Sequence, residues 1–204
     1  MVDTQLRRRG IRDERVLAAM LEIPREEFVP LESRVVAYQD GPIAIGEGQT
    51  ISQPYMTALM AESLALRGPE HVLEVGAGCG YAAAVLGALA ARVITLEIIP
   101  SLAQQARDNL HRAARDGNVQ VVAGDGSGGF AEGAPYDAIS VAAGAPEIPA
   151  ALLGQLNDPG ILVIPVGAMD DQELRVLTIR GGHVDYRVPT LCRFVPLRGG
   201  EGWQ

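Results

Sequence analysis

The amino-acid sequence predicts an α/β fold: a doubly wound, mostly parallel sheet with an N-terminal helical cap and a C-terminal antiparallel hairpin. Three observations predict it. From residue 71 onward, short apolar strands alternate with helical segments. The strands are almost continuously apolar, which is typical of parallel strands covered on both faces. The alternation stops near the C-terminus, where two strand-like segments flank Gly181-Gly182. The length of 204 residues predicts a single domain.

The N-terminal part of the chain precedes this alternation. Apolar residues recur at the spacing of one helix face within residues 11–23 and predict a helix there. Pro24 ends that helix, and a second short helix is expected over residues 25–29. Residues 1–37 are therefore expected to form the helical cap.

Residues 38–54 are rich in Gly and Pro and have no clean period, so they predict a long ordered loop. Loops of this length within a compact domain are usually functional or disordered. The Ile residues and the scarcity of charge in this segment argue against disorder. A helix is expected directly after it, over residues 55–66.

The alternating part predicts its elements in order. The predicted strands are 71–75, 92–96, 119–122, 138–141 and 161–164. The predicted helices are 81–89, 101–115 and 148–156. A turn is expected at residues 157–160, between the last two of these elements. The hairpin is expected to pair residues 173–179 with 184–188, and residues 193–197 are expected to form a last short strand.

Composition excludes several function classes. The chain contains no Lys, which excludes a Schiff-base lysine, a P-loop lysine and a kinase lysine. The net charge is −8, so nucleic acid is not expected as a partner. The 3 His and 2 Cys show no metal-ligand spacing, so no metal is expected. The apolar runs fall short of the roughly 20 residues that span a bilayer, so no membrane partner and a cytoplasmic location are expected.

The strongest local motif is the run Val72-Leu-Glu-Val-Gly-Ala-Gly-Cys-Gly-Tyr81, a buried strand that enters a glycine-rich turn and then a helix. Such a turn, at the carboxyl end of the first strand, lets a ligand approach the backbone closely. The dinucleotide pattern GxGxxG is not met, because Tyr81 stands where its third glycine would be.

Two acidic residues follow at the ends of the next strands. Glu97 ends the second strand, where a carboxylate can accept the hydroxyl groups of a ribose. Gly124-Asp125 follows the third strand, where a carboxylate can reach an adenine edge. This combination favours S-adenosyl-L-methionine (AdoMet) over NAD, whereas the glycine run alone could be only a tight strand-to-helix turn.

These motifs resemble those of class I AdoMet-dependent methyltransferases with a Rossmann-like fold. The chain is more specifically similar to the protein-L-isoaspartate O-methyltransferase family, and the match extends in order from about Gly10 to Leu197. The motifs that carry this similarity are Gly48-Gln-Thr-Ile-Ser-Gln-Pro-Tyr55, Gly124-Asp-Gly126, Ala134-Pro-Tyr-Asp-Ala-Ile139, Ile164-Pro-Val-Gly167 and Phe194-Val-Pro-Leu197.

The resemblance implies an activity and a domain plan. Enzymes of this family move the methyl group of AdoMet to the free carboxylate of an isoaspartyl residue in a damaged protein or peptide, and S-adenosyl-L-homocysteine is the product. The ester then cyclises to a succinimide, and hydrolysis restores some normal aspartyl linkage. One methyltransferase domain over residues 1–204 is implied, with an AdoMet-binding core at 70–167, C-terminal strands at 168–204 and the cap and loop already described. A monomer is expected.

The matched positions also imply site residues. Cofactor contacts are implied at Thr50, Glu74, Gly76, Ala77, Gly78, Gly80, Tyr81, Glu97, Ile98, Gly124, Asp125 and Gly126. Acceptor contacts are implied at Ile51, Ser52, Pro54, Tyr55 and Val195. Ser52 is the candidate catalytic residue, a neutral donor that orients the acceptor carboxylate. Its alternative role is to cap the helix that begins near Pro54.

The acceptor chemistry agrees with the composition. A carboxyl group with a pKa of about 4 is already ionised at pH 7, so no general base is needed. Two alternatives stay open: a carboxyl methyltransferase that acts on ordinary aspartate in one dedicated peptide, and an AdoMet-binding module without turnover. Arg198 stands where some relatives carry a small hydroxyl residue, and this departure concerns the choice of acceptor.

Overall fold

A computed structural model describes residues 1–203 of the chain. Its main sheet has seven strands in the order β5-β4-β3-β6-β7-β8-β9. The strands are β1 (Ile43–Gly46), β2 (Gln49–Ile51), β3 (His71–Val75), β4 (Arg92–Glu97), β5 (Val119–Ala123), β6 (Tyr136–Val141), β7 (Leu156–Ala168), β8 (Asp171–Arg180) and β9 (His183–Cys192). The helices are α1 (Glu14–Glu22), α2 (Pro54–Ser63), α3 (Tyr81–Leu89), α4 (Pro100–Arg112) and α5 (Ala150–Leu153).

The predicted fold class is confirmed. The pairs β5-β4, β4-β3, β3-β6 and β6-β7 are parallel, and β8 and β9 close the sheet as an antiparallel hairpin. Alternate residues of one strand enter separate cores on the two faces of the sheet. Val72 of β3 packs on the same face as the N-terminal cap, whereas Leu73 packs on the opposite face. Both faces of the sheet are therefore buried, which explains why the strands are continuously apolar.

Side chain-to-backbone hydrogen bonds order the start of α1 and hold the cap to α2. Asp13 caps α1, because its carboxylate accepts hydrogen bonds from the backbone N–H groups of Arg15 and Val16. Glu62 of α2 accepts the N–H groups of Arg12 and Asp13 at 2.6 and 2.7 Å. Two short 3-10 helices, Arg25–Phe28 and Leu31–Val36, follow α1.

Residues 38–54 differ from the predicted loop, because they contain the β1–β2 hairpin, a separate two-stranded sheet. Ile43 pairs with Ile51, and Ile45 and Ile51 are buried. The strands are too short to show an alternating period, and residues 46–48 all have positive φ angles at the turn between them. This hairpin ends immediately before Ser52.

The segments after β6 show three further differences. The helix expected over 148–156 is limited to α5. Residues 157–160 are not a turn between elements but a bulge inside β7, since Leu156 pairs with Tyr136 and Ile161 pairs with Ala138. Asp158 of this bulge accepts the N–H groups of Gly181 and Gly182 at 2.7 Å each, so it fixes the hairpin turn.

Residues 193–197 do not form the expected last strand. They make only one isolated bridge, between Pro196 and Gly144, and they run along the carboxyl end of β6. Across residues 1–203, none of the helices is both long and apolar enough to cross a bilayer.

Candidate active site

A cavity opens at the carboxyl ends of β3, β4 and β6, the edge at which open α/β sheets bind ligands. It encloses ≈ 1060 Å³ of empty space, its open mouth included. Its walls are the glycine-rich loop after β3, the end of β4, one side of α2, residues 49–52 and residues 195–198.

The glycine-rich loop presents backbone rather than side chains to this cavity. Gly76, Gly78 and Gly80 have φ angles of 95°, 54° and 87°, a region that other residues rarely adopt. A Cβ atom on Gly78 would lie 3.2 Å from Ile45, and one on Gly80 would lie 3.1 Å from the carbonyl oxygen of Ala106. The sequence therefore needs glycine here for backbone conformation and for close packing.

Glu97 lies at the end of β4 and faces the cavity. Its Oε2 accepts the N–H of Gly78 at 2.8 Å, and its Oε1 accepts the N–H of Ile99 at 3.0 Å. Each carboxylate oxygen has a second lone pair, so Glu97 can still accept hydrogen bonds from two ligand hydroxyl groups. One side chain therefore fixes the loop and provides a polar contact for a ligand.

Glu74 differs sharply from Glu97, although both carboxyl groups face the same cavity. Glu74 is 1% exposed, and its Oε2 accepts a hydrogen bond from the Thr95 hydroxyl at 2.5 Å. The pKa of Glu74 is raised to about 8, mainly by burial; the Thr95 hydrogen bond opposes this shift and the nearby Glu97 charge adds to it. Glu74 is therefore mainly protonated at pH 7.

Ser52 follows β2 and lines the cavity. The capping role left open by the sequence is not adopted, because the N-cap of α2 is Gln53 and makes no side-chain cap hydrogen bond. Within residues 1–203, the Ser52 hydroxyl has no hydrogen-bond partner, whereas its carbonyl oxygen accepts a hydrogen bond from Arg25. The hydroxyl is thus free to donate to a ligand.

Most of the predicted site residues meet at this cavity. Those that line it are Thr50, Ile51, Ser52, Glu74, Gly76, Ala77, Gly78, Tyr81, Glu97, Ile98, Gly126 and Val195. They come from the ends of β2, β3 and β4, from the segment after β5 and from the C-terminal segment, so the order of elements brings them together.

Gly80, Gly124 and Asp125 do not line the cavity. Gly80 is the left-handed N-cap residue of α3, and the N–H of Gly124 donates to the carbonyl of Glu97. The Asp125 carboxylate accepts the N–H groups of Ser127 and Gly200, at 2.8 Å each, and so holds the C-terminal turn. The structure therefore gives Asp125 an anchoring contact that the sequence does not predict.

Pro54 and Tyr55 also lie outside the cavity wall. Pro54 is buried at the first turn of α2. The Tyr55 ring lies under the guanidinium of Arg9, whose central carbon is 3.5 Å from the ring centroid. Both residues fix the start of α2 rather than contact the cavity.

Several cavity residues escaped the sequence prediction. The main groups are Thr57, Met60 and Ala61 of α2, Ser140, Ala142 and Ala143 at the end of β6, and Pro196 and Leu197. The β6 group had a usable signal, since it follows the strand next to β3, where ligand sites form. The α2 group depends on tertiary packing and had none, whereas Pro196 and Leu197 lie in the Phe194–Leu197 motif that the sequence already offered.

The polar groups of this cavity offer little acid–base or nucleophilic chemistry at pH 7. Burial raises the pKa of the Cys79 thiol to about 11, so Cys79 is a neutral thiol. Within residues 1–203, no group of His, Cys, Asp and Glu could hold a metal ion, and Arg198 is the one basic residue on the cavity wall. The arrangement suits the orientation of a ligand better than proton transfer.

Comparison with known proteins identifies close similarity over the whole chain. The family model described as protein-L-isoaspartate(D-aspartate) O-methyltransferase matches residues 1–202. A protein-L-isoaspartate O-methyltransferase of Methanoculleus marisnigri is 53% identical over 206 residues, which cover 100% of this chain and 92% of the relative. A protein-L-isoaspartate O-methyltransferase 2 of Marinobacter nauticus is 53% identical over 205 residues, with 100% and 93% covered.

A solved structure has the same fold. A protein-L-isoaspartate O-methyltransferase from Plasmodium falciparum, in complex with S-adenosyl-L-homocysteine, superposes with a TM-score of 0.82 at 28% identity. The superposition covers 97% of this chain and 96% of that one.

Proposed function

The chain belongs to the protein-L-isoaspartate(D-aspartate) O-methyltransferase family, and from this membership we propose how its cavity carries out that reaction. The cavity divides into two sides. The cofactor side comprises residues 76–79 of the glycine-rich loop, Glu74 and residues 96–99, whereas the acceptor side comprises residues 49–52 and 195–198. AdoMet binds on the cofactor side, and an isoaspartyl carboxylate of a protein or peptide enters from the acceptor side.

The residues of the cofactor side fit a nucleoside. Glu97 retains free lone pairs for the two ribose hydroxyl groups. Ile98, next to it, is 38% exposed and offers an apolar surface to one face of an adenine ring. The glycine backbone lets the amino acid part of the ligand approach β3 without a clash with side chains. When bound, AdoMet supplies a methyl group on a sulfonium leaving group.

The acceptor side orients the nucleophile. Ser52 donates its free hydroxyl to the acceptor carboxylate, which arrives already ionised and needs no base. A neutral donor holds the oxygen in place without pairing its charge, so less of the binding energy stabilises the ground state. Ile51 and Leu197 line the same wall and exclude water from the carboxylate.

Arg198 is proposed to act on acceptor binding at this side. It is exposed, faces the cavity and makes no ion pair within residues 1–203. Its positive charge attracts an anionic acceptor to a protein of net charge −8.

The edge strand β9 carries Pro189 and an irregularity in its pairing with β8, which oppose strand pairing between copies and favour a monomer.

The observation that carries this proposal is the free Ser52 hydroxyl on the same cavity as Glu97 and the glycine-rich loop. The test is transfer of labelled methyl from AdoMet to an isoaspartyl peptide and to its aspartyl twin. The expected result is a base-labile methyl ester on the isoaspartyl peptide alone. Equal transfer to the twin would indicate an ordinary aspartyl acceptor, and binding of AdoMet without transfer to any peptide would indicate a binding module.

A further inference from the structure

Arg25 is a buried arginine without a counter-charge. Arg25 is the first residue of the 3-10 helix Arg25–Phe28 and is 0% exposed. No carboxylate among residues 1–203 pairs with it, and its Nη1 has no hydrogen-bond partner there. Burial lowers the pKa of Arg25 below its ordinary value, although nearby Tyr81 opposes this shift. Burial of a charge in this way is costly, so Arg25 carries an energetic penalty that its other contacts must offset.

The guanidinium joins the cap to two segments that line the cavity. Its Nε donates to the carbonyl of Ala37 at 2.8 Å, in the cap. Its Nη2 donates to the carbonyl of Ser52 at 2.6 Å, a short charge-assisted hydrogen bond. Its central carbon lies 4.9 Å from the centroid of the Tyr81 ring, at the start of α3. Both Ser52 and Tyr81 line the cavity.

The contact with Ser52 is made to the backbone and leaves the side chain free. The planar guanidinium fixes the Ser52 carbonyl relative to the cap, and α2 begins two residues later at Pro54. Arg25, which does not line the cavity, thus holds the Ser52 backbone from which the hydroxyl-bearing side chain extends. A displacement of about 1 Å at such a group can lower turnover by about 10²-fold.

We propose that Arg25 is a positioning residue for methyl transfer, which holds Ser52 so that its hydroxyl meets the acceptor carboxylate. This inference rests on the proposed function. It adds a residue of the cap, outside the cavity wall, to the machinery that orients the acceptor. Arg25 itself touches neither the acceptor nor AdoMet.

Arg15, which is exposed whereas Arg25 is buried, provides a control that is matched in its hydrogen bonds. This arginine also donates to two backbone carbonyls, those of Leu66 at 2.6 Å and Leu89 at 2.8 Å, but it lies at the cap and does not face the cavity. Arg15→Met and Arg25→Met therefore remove similar hydrogen bonds at different distances from Ser52. Both are expected to lower the thermal midpoint.

Turnover separates the two arginines. Arg25→Met should lower kcat for an isoaspartyl peptide by roughly 10- to 100-fold. Its AdoMet affinity, measured by calorimetry, should stay within about threefold of the wild-type value. Arg15→Met should keep kcat within about threefold of the wild-type value. In a Ser52→Gly background, Arg25→Met should change kcat by less than about threefold, because residues that act as a unit are not additive. Millimolar methylguanidinium should raise kcat of Arg25→Gly several-fold, and sodium chloride at the same concentration should not.

Three outcomes would overturn the proposal: a folded Arg25→Met enzyme with wild-type kcat, equal kcat losses in the Arg15 and Arg25 variants, or full additivity with Ser52→Gly. If Arg25→Met does not fold, Arg25→Lys replaces it, since it keeps the charge but cannot bridge both carbonyls in one plane. Its kcat should still fall while AdoMet affinity is kept. An inactive wild-type enzyme would instead contradict the proposed function, so the two failures are distinguishable.

Discussion

The cofactor side of the cavity is fixed by contacts within one strand–helix–strand unit, whereas the acceptor side is fixed by contacts with the cap and with the C-terminal segment. On the cofactor side, Glu97 binds the N–H groups of Gly78 and Ile99, all at the ends of neighbouring strands. On the acceptor side, Arg25 reaches Ser52 across 27 positions and Asp125 reaches Gly200 across 75. The sheet itself therefore builds the AdoMet site, while the site for the acceptor depends on how the cap and the C-terminal segment dock.

Ser52→Gly should have the largest effect and should be confined to the acceptor side. Glycine removes the donor, so we expect isoaspartyl turnover to fall by roughly 10- to 1000-fold. AdoMet affinity should change little, and stability by no more than about 1 kcal/mol, because Ser52 makes no cap hydrogen bond. Turnover, calorimetry and thermal unfolding of the same preparation check this. Full turnover in the variant would mean that another group orients the acceptor.

Glu97→Ala should break the cofactor side. The change removes an acceptor for ligand hydroxyl groups and leaves the N–H groups of Gly78 and Ile99 without their partner. We expect AdoMet binding to weaken by about 1–3 kcal/mol, the cost of leaving buried polar groups unpaired. Calorimetry measures this directly, and an unchanged affinity would remove Glu97 from the AdoMet site.

Glu74 should make stability depend on pH. Its pKa is raised to about 8 in the folded protein from an ordinary value of 4.5. The folded state therefore keeps a proton that the unfolded state releases between these values, and stability falls as pH rises through this window. The slope should reach at most about 1.4 kcal/mol per pH unit.

Glu74→Gln should flatten the dependence of stability on pH. Chemical unfolding at about pH 5 and about pH 8, near the two ends of this window, measures the change. Glu132→Gln, at an exposed position, is the matched control and should keep the wild-type slope. An equal slope in wild type and Glu74→Gln would show that Glu74 keeps an ordinary titration in the folded protein.

The smallest effects are expected for the histidines, because none of them lines the cavity. Burial lowers the pKa of His71, so this side chain is neutral at pH 7, while His111 pairs with exposed Asp116 and His183 is exposed. Changing each to Gln should leave isoaspartyl turnover within a few-fold. A loss of about a hundredfold in any one of them would reveal a proton-transfer role.

The same division explains what could be predicted from the sequence. The glycine run and Glu97 form a pattern within one strand–helix–strand unit, because backbone conformation and strand ends determine their positions, and the structure brings them together. The residues 49–52 were recognised through a motif, but the hairpin that carries them was not, since its strands of four and three residues show no period.

Other parts of the site depended on contacts that no local pattern encodes. Asp125 follows its strand as predicted, yet both carboxylate oxygens are used by the backbone of Ser127 and Gly200. Arg25 looks like a surface residue in a charged run, and only the tertiary structure shows it to be buried against Ser52. The role of such residues is decided by the docking of distant segments.

The most direct test of this division is the turnover of Glu97→Ala and Ser52→Gly at saturating AdoMet with one isoaspartyl peptide. If the two sides act separately, saturation restores the turnover of Glu97→Ala to near the wild-type value, because only its AdoMet binding is impaired. Ser52→Gly stays roughly 10- to 1000-fold below wild type at the same concentration. Recovery of Ser52→Gly by AdoMet, or a loss in Glu97→Ala that AdoMet cannot restore, would contradict the separation of a cofactor side from an acceptor side.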